Sequence, residues 1–94
     1  MKIEGIIWLR DVVDKLWYKH HVEIEEVEEV LCGKPKYRFV EKGDRKGENV
    51  YLALGRTVAG RYLCVLFIYK VTKEALILSA RSMAKKERKQ YEKK

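Results

Sequence analysis

The sequence predicts an α+β domain: an antiparallel β-sheet packed against two N-terminal helices, with a basic helix at the C-terminus. Three observations predict it. Two apolar stripes of helical period precede Pro35, β-prone segments fill residues 37–79, and the tail from Met83 is helix-prone and rich in Lys and Arg. A chain of 94 residues suffices for one hydrophobic core and falls short of two, so residues 1–94 are read as a single domain. At 47% hydrophobic and 37% charged, the chain has enough apolar material to fold.

Ile3 to Trp8 reads as a short strand interrupted by Gly5. From Asp11, the positions Val12, Val13, Leu16, Trp17 and His20 follow a helical period that stops near His21. Ile24, Val27, Val30 and Leu31 form the stripe of a second helix, with Glu23, Glu25, Glu26, Glu28 and Glu29 largely off it; Gly33 and Pro35 end it. Tyr37 to Lys42 is β-prone, and Gly43 to Asn49 is a polar connection. Val50, Leu52 and Leu54 then alternate with Tyr51, Ala53 and Gly55. Tyr62 to Tyr69 is apolar on both alternating sets, as a central strand covered on both sides would be. Arg56 to Arg61, with Gly60, makes a hairpin loop; Glu74 to Ser79 is the last strand, and Met83 to Lys94 the last helix. The order is βααββββα, or four strands if the first is absent, and short connections favour an antiparallel meander. The early helices are expected on one sheet face, and the last helix is expected to dock by Met83, Ala84, Glu87 and Tyr91.

Several classes of protein are disfavoured. No apolar run approaches the roughly 20 residues of a membrane helix, and Glu4, Arg10 and Asp11 break up any signal segment, so no membrane partner and a cytoplasmic location are expected. Cys32 and Cys64 have no local pairing motif, and only His20 and His21 join them, so no zinc site is expected. No glycine-rich phosphate loop or dinucleotide fingerprint is present, and no cofactor is expected. The acidic run reads as a solvated or protein-binding face, and Trp8, Trp17, Phe39 and Phe67 as core.

Charge is segregated. Residues 1–47 hold ten Lys/Arg against ten Asp/Glu, whereas residues 48–94 hold eleven against four. Such a second half suits an anionic partner, either nucleic acid or an acidic protein, or is a solvated basic face. Lys19 and His20, with His21, put a cation beside imidazoles, side chains that can both donate and accept a proton, a combination suited to holding a phosphate and moving a proton. The competing role for His20 is to finish a buried helical face. Arg56 and Arg61 flank one chain reversal, and their planar forks match paired phosphate oxygens unless they are ordinary loop arginines. Arg81 lies before the final helix, where it meets either an anion or the acidic second helix. Tyr91 either fastens that helix to the sheet or presents a phenol at the edge of a site. Lys85, Lys86, Arg88 and Lys89 form an electrostatic surface for a nucleic-acid backbone.

The order of these motifs resembles the BrnT family of ribonuclease toxins. Trp8, Lys19-His20 followed by Val22 and Glu25-Glu26, Gly55-Arg56, Gly60-Arg61, Ser79-Ala80-Arg81, and Glu87-Arg88 with Tyr91 carry the likeness over nearly the whole chain. The resemblance implies a RelE-like fold and an endoribonuclease toxin. It also implies neutralisation by a cognate DNA-binding antitoxin, through whose complex any DNA contact is made. The implied chemistry needs no metal: an RNA 2′-hydroxyl attacks the adjacent phosphate and leaves a cyclic phosphate and a 5′-hydroxyl. Lys19 or His20 would move protons, Arg61 and Arg81 would meet the phosphate charge, and Tyr91 would orient the phosphate or share in proton transfer. Three positions depart from the family pattern: Leu16 stands for an asparagine, His21 for a glycine and Leu76 for an arginine. A member retaining antitoxin or nucleic-acid binding without cleavage is the alternative.

Overall fold

The structure, a computed structural model, describes residues 1–93. It has five strands and three helices: β1 Gly5–Ile7, α1 Arg10–His20, α2 Ile24–Cys32, β2 Lys36–Glu41, β3 Asn49–Arg56, β4 Tyr62–Tyr69, β5 Glu74–Ser82 and α3 Lys85–Glu92. The expected element order is therefore found. The first strand is shorter than expected, Gly5–Ile7 in place of Ile3 to Trp8, the last strand runs on to Ser82, and the last helix begins at Lys85. Lys94, the expected end of that helix, lies outside the described residues.

The sheet has the strand order β1-β5-β4-β3-β2, with β2 to β5 antiparallel as the short connections require. It is mixed, not wholly antiparallel, because β1 pairs in parallel with β5, Ile6 facing Ala75. The short-connection argument reaches only consecutive strands. The neighbour of β1 is supplied from the far end of the chain, so no hairpin fixes its direction. The Glu4 N–H donates to Lys73 O at 2.8 Å and anchors this pairing.

Alternation in β3 and β4 divides the core into two faces. Ala53, Leu63, Val65 and Phe67 pack with Leu16, Val22, Val27, Val30 and Leu31, so α1 and α2 cover one face. Leu52, Leu54 and Cys64 point the other way, where Leu66, Met83 and Tyr91 pack against them. The doubly apolar pattern of β4 thus serves both layers. At Gly55, a Cβ would lie 2.6 Å from Val30 Cγ1, so glycine permits the close seat of α2 on β3. Two of the aromatics expected in the core are half out of it: Trp17 is 48% and Phe39 52% exposed. No helix is long and apolar enough to cross a membrane.

One irregularity in β5 aims the site. Phe67 faces Ile77 and Leu66 faces Ser79, leaving Leu78 as an extra residue, a β-bulge. Ala75 and Ile77 therefore share the α1–α2 face with Ala80, and Arg81 stands opposite Cys64 on the α3 face. Unbroken alternation from Ala75 would have put Arg81 beneath α1 and α2.

Candidate nucleic-acid interface

Arg81 borders an open cleft of about 230 Å³ on the α3 face, lined by Arg38, Val40, Leu52, Cys64, Leu66 and Ser79. Its guanidinium is held by Glu87: Nη1 donates to Oε1 at 2.6 Å and Nη2 to Oε2 at 2.7 Å. Nη1 also donates to Ser82 O at 3.2 Å. Glu87 is the third residue of α3, where its Oε1 accepts the Ala84 N–H at 2.8 Å and stabilises the helix start. The Cys64 thiol donates to the same oxygen at 3.4 Å. These donors, the Arg81 fork first, hold the Glu87 carboxyl down at about 2 despite its burial. Burial above all pushes the Cys64 thiol up to about 12, so it sits in the floor as a neutral group.

Beside the cleft, Arg56 and Tyr62 face each other across β3 and β4. The Tyr62 ring carries the Arg88 guanidinium 4.0 Å and the Arg56 guanidinium 5.1 Å from its centroid, and meets the Tyr91 ring edge-on at 6.0 Å. Lys36 Nζ lies 5.8 Å from the Tyr91 centroid, and Arg38 Nη1 donates to Gln90 Oε1 at 3.2 Å. Lys85, Lys86 and Lys89 stand exposed on α3. The structure thus gathers Arg56, Arg81, Tyr91 and the α3 cations on one face.

Arg61 lies on the other face. Its Nη1 donates to His21 O at 2.8 Å and to Glu26 Oε1 at 3.1 Å, and its Nη2 donates to His20 O at 2.9 Å. Nη2 also reaches Ser82 Oγ at 3.5 Å. Arg61 therefore ties the α1–α2 corner to the ends of β4 and β5, and it is Arg61, rather than Arg81, that meets the acidic second helix. The corner needs such a tie because His21 closes α1 with φ of +51°, a left-handed conformation usually given to glycine. Lys19 and His20 are consequently placed at the end of the sheet where β5 finishes. Among the described residues, no hydrogen bond or ion pair joins them to Arg81 or Tyr91.

A family model described as the ribonuclease toxin BrnT of type II toxin–antitoxin systems matches residues 8–87. The chain belongs to the BrnT family. No curated protein matches the chain. Membership makes it a member of a ribonuclease-toxin family and implies an antitoxin partner. The matched BrnT segment includes Lys19, His20, Arg56, Arg61 and the Arg81–Glu87 pair, and stops before Tyr91. Leu16 is in the core, and Leu76 lies between Ile7 and Ile68 in the sheet. Among the described residues no group of three His, Cys, Asp or Glu side chains is placed to hold a metal.

Four contributors are absent from the site residues expected from the sequence of this BrnT chain, although Glu87 is expected on the docking side of the last helix. Arg38 lies within a β-prone run, and only its register opposite Leu52 turns it into the cleft. Tyr62 is readable as a strand residue, but its two arginines come from β3 and α3. Glu26 and Glu87 announce themselves only through their place three residues into a helix, a position that requires the helix start to be known.

Proposed function

We propose that this BrnT-family chain is an endoribonuclease toxin that cleaves RNA without a metal, on the sheet face beside α3. The observation that carries the reading is the Arg81 guanidinium. Two of its donors are fixed on Glu87, while among the described residues its Nε–H and outer Nη2–H, a second two-donor edge, meet no acceptor, and Arg81 itself lines an open cleft. That edge matches two nonbridging phosphate oxygens and would meet the charge that grows on them as the 2′-hydroxyl attacks. The apolar floor of Leu52, Leu66 and Val40 suits a base or ribose, and Arg56, Lys85, Lys86, Arg88 and Lys89 suit the flanking backbone.

Proton movement is assigned to Lys19 or His20, whose corner reaches the end of β5 through Arg61 and Ser82, with Tyr91 orienting the phosphate from the α3 side. Arg61 then serves catalysis chiefly by fixing that corner. Two sheet-packed helices with a third on the opposite face support a RelE-like arrangement. A cognate antitoxin that also binds DNA would neutralise this cytoplasmic toxin by covering the basic face.

The deciding test offers the purified chain an RNA oligonucleotide and its all-deoxy analogue in the presence of EDTA. Cleavage of the RNA alone, with cyclic-phosphate and 5′-hydroxyl ends and a loss of about 10²- to 10³-fold in Arg81→Ala, is expected. Binding of both oligonucleotides without cleavage of either would leave the noncatalytic binding role.

A further inference from the structure

Glu87 is the one charged residue that α3 buries: its side chain is 12% exposed, against 46% for Arg81. Burying a carboxylate is costly unless its oxygens are satisfied, and here four donors converge on it. Two come from Arg81, one from the Ala84 backbone and one from the Cys64 thiol. These donors belong to β5, to the start of α3 and to β4. The carboxylate is therefore fixed from three sides, and it fixes the guanidinium in turn.

The consequence lies in the geometry of the fork. Glu87 takes the Nη1–Nη2 edge, and Ser82 O takes the other Nη1 hydrogen. Among the described residues nothing accepts from the Nε–H or the second Nη2–H, two parallel donors on one edge. The formal charges of Arg81 and Glu87 cancel, so the pair adds little to long-range attraction. Its contribution is directional: a guanidinium with its rotation locked presents its donors without reorganising when charge develops in front of it. Arg38 and the α3 cations draw the backbone in, and Arg81 receives one phosphate.

From this arrangement we infer that Glu87 is a positioning residue for RNA cleavage, holding Arg81 so that its free Nε–Nη2 edge meets the scissile phosphate. The inference rests on the ribonuclease reading above. It adds a carboxylate, which touches no substrate, to the machinery, and it separates the two tasks of the Arg81 guanidinium by edge.

The test compares the parent, Glu87→Gln, Arg81→Ala and the double variant, each held where circular dichroism shows it folded. Glu87→Gln keeps an oxygen for the Ala84 N–H and loses the charge and the second strong acceptor. Expected is a fall in kcat of about tenfold to a hundredfold with KM within about threefold. Glu87→Asp, which keeps the charge, should recover part of the loss. In the double variant, activity should equal that of Arg81→Ala alone, because Glu87 has nothing left to position. Side-chain 15N NMR supplies a readout independent of cleavage: Arg81 Nη signals resolved in the parent should merge in Glu87→Gln as the guanidinium rotates freely. Unchanged kcat in Glu87→Gln, losses that multiply in the double variant, or Arg81 signals alike in both proteins would each overturn the inference. A parent that cleaves no RNA while its Arg81 signals are resolved overturns the ribonuclease reading and with it the catalytic use of the pair; the lock itself would stand.

Discussion

Arg61 and Arg81 are held by the same device, a glutamate three residues into a helix, yet their substitutions are expected to fail differently. Arg61 joins two backbone carbonyls and Glu26, and its removal takes the donor from the part-buried His20 carbonyl and the cation from Glu26. Arg61→Ala should therefore cost about 2 kcal/mol, read as a lowered thermal midpoint, with cleavage falling mainly through the loss of folded protein. Arg81→Lys keeps an ion pair with Glu87 but loses the planar fork. It should melt within a few degrees of the parent and cleave at least about tenfold more slowly. Glu87 adds a pH signature. Its folded carboxyl is held at about 2 against an ordinary 4.5, so the stability it lends is complete above pH 4.5 and is lost as the pH falls through about 2. The gap in thermal midpoint between the parent and Glu87→Gln should be flat above pH 4.5 and shrink as the pH falls from there to about 2; a gap independent of pH would refute the assignment. The arginines were legible in the sequence as anion-binding candidates because guanidinium chemistry is local to the residue. Their glutamates were not. Glu26 is one of five similar acids, and a helix begun at Met83 makes Glu87 its fifth residue, whereas the real start at Lys85 makes it the third, in reach of the Ala84 N–H.

At the scale of elements, periodicity revealed α1, α2 and the two-faced β4 because each repeats one burial pattern for its full length. It ended β5 too early at Ser79 because the bulge at Leu78 breaks the period of two. That break permits a sharp comparison between two single-residue deletions. Removing Leu78 takes out the unpaired residue and leaves Ser79 opposite Leu66 and Arg81 opposite Cys64. The shortened strand should fold, melt cooperatively and keep Arg81 on the α3 face, with RNA cleavage within about tenfold of the parent. Removing Ala80 instead brings Arg81 opposite Val65 and turns its charge toward α1 and α2. With no partner there, the buried guanidinium should cost about 3 kcal/mol or more, and the chain should lose cleavage together with its cooperative melt. Equal behaviour of the two deletions would show that the bulge does not set the direction of Arg81. The β1 pairing was illegible for a different reason. Three residues carry no directional signal, and their partner strand begins at Glu74.

Over the whole molecule, the segregation of charge along the chain becomes a segregation of faces. The acids of α2 lie on the side of the sheet that α1 and α2 cover, and the cations of α3 lie on the opposite side with Arg38, Arg56 and Arg81. A polyanion approaching such a molecule is turned toward one face before contact is made. The sequence held the quantity of this charge but not its aim, since β2 supplies Arg38 from the charge-balanced half. Phosphates neutralised by a protein release counterions, and for a single strand each contact contributes about 0.7 to the fall of log affinity with log salt. Replacing Lys85, Lys86 and Lys89 together by glutamine should therefore reduce that slope by about 2 for a deoxy oligonucleotide, which lacks the 2′-hydroxyl that the proposed cleavage uses. The thermal midpoint should change little, because all three side chains are exposed. A parent-like slope in the triple variant would mean that the strand does not run along α3, and would move the binding path to the corner formed by Lys19 and His20. A reduced slope accompanied by unchanged cleavage at saturating RNA would instead divide the face by task, with the α3 lysines gathering the backbone and the Arg81 cleft meeting the bond to be cut.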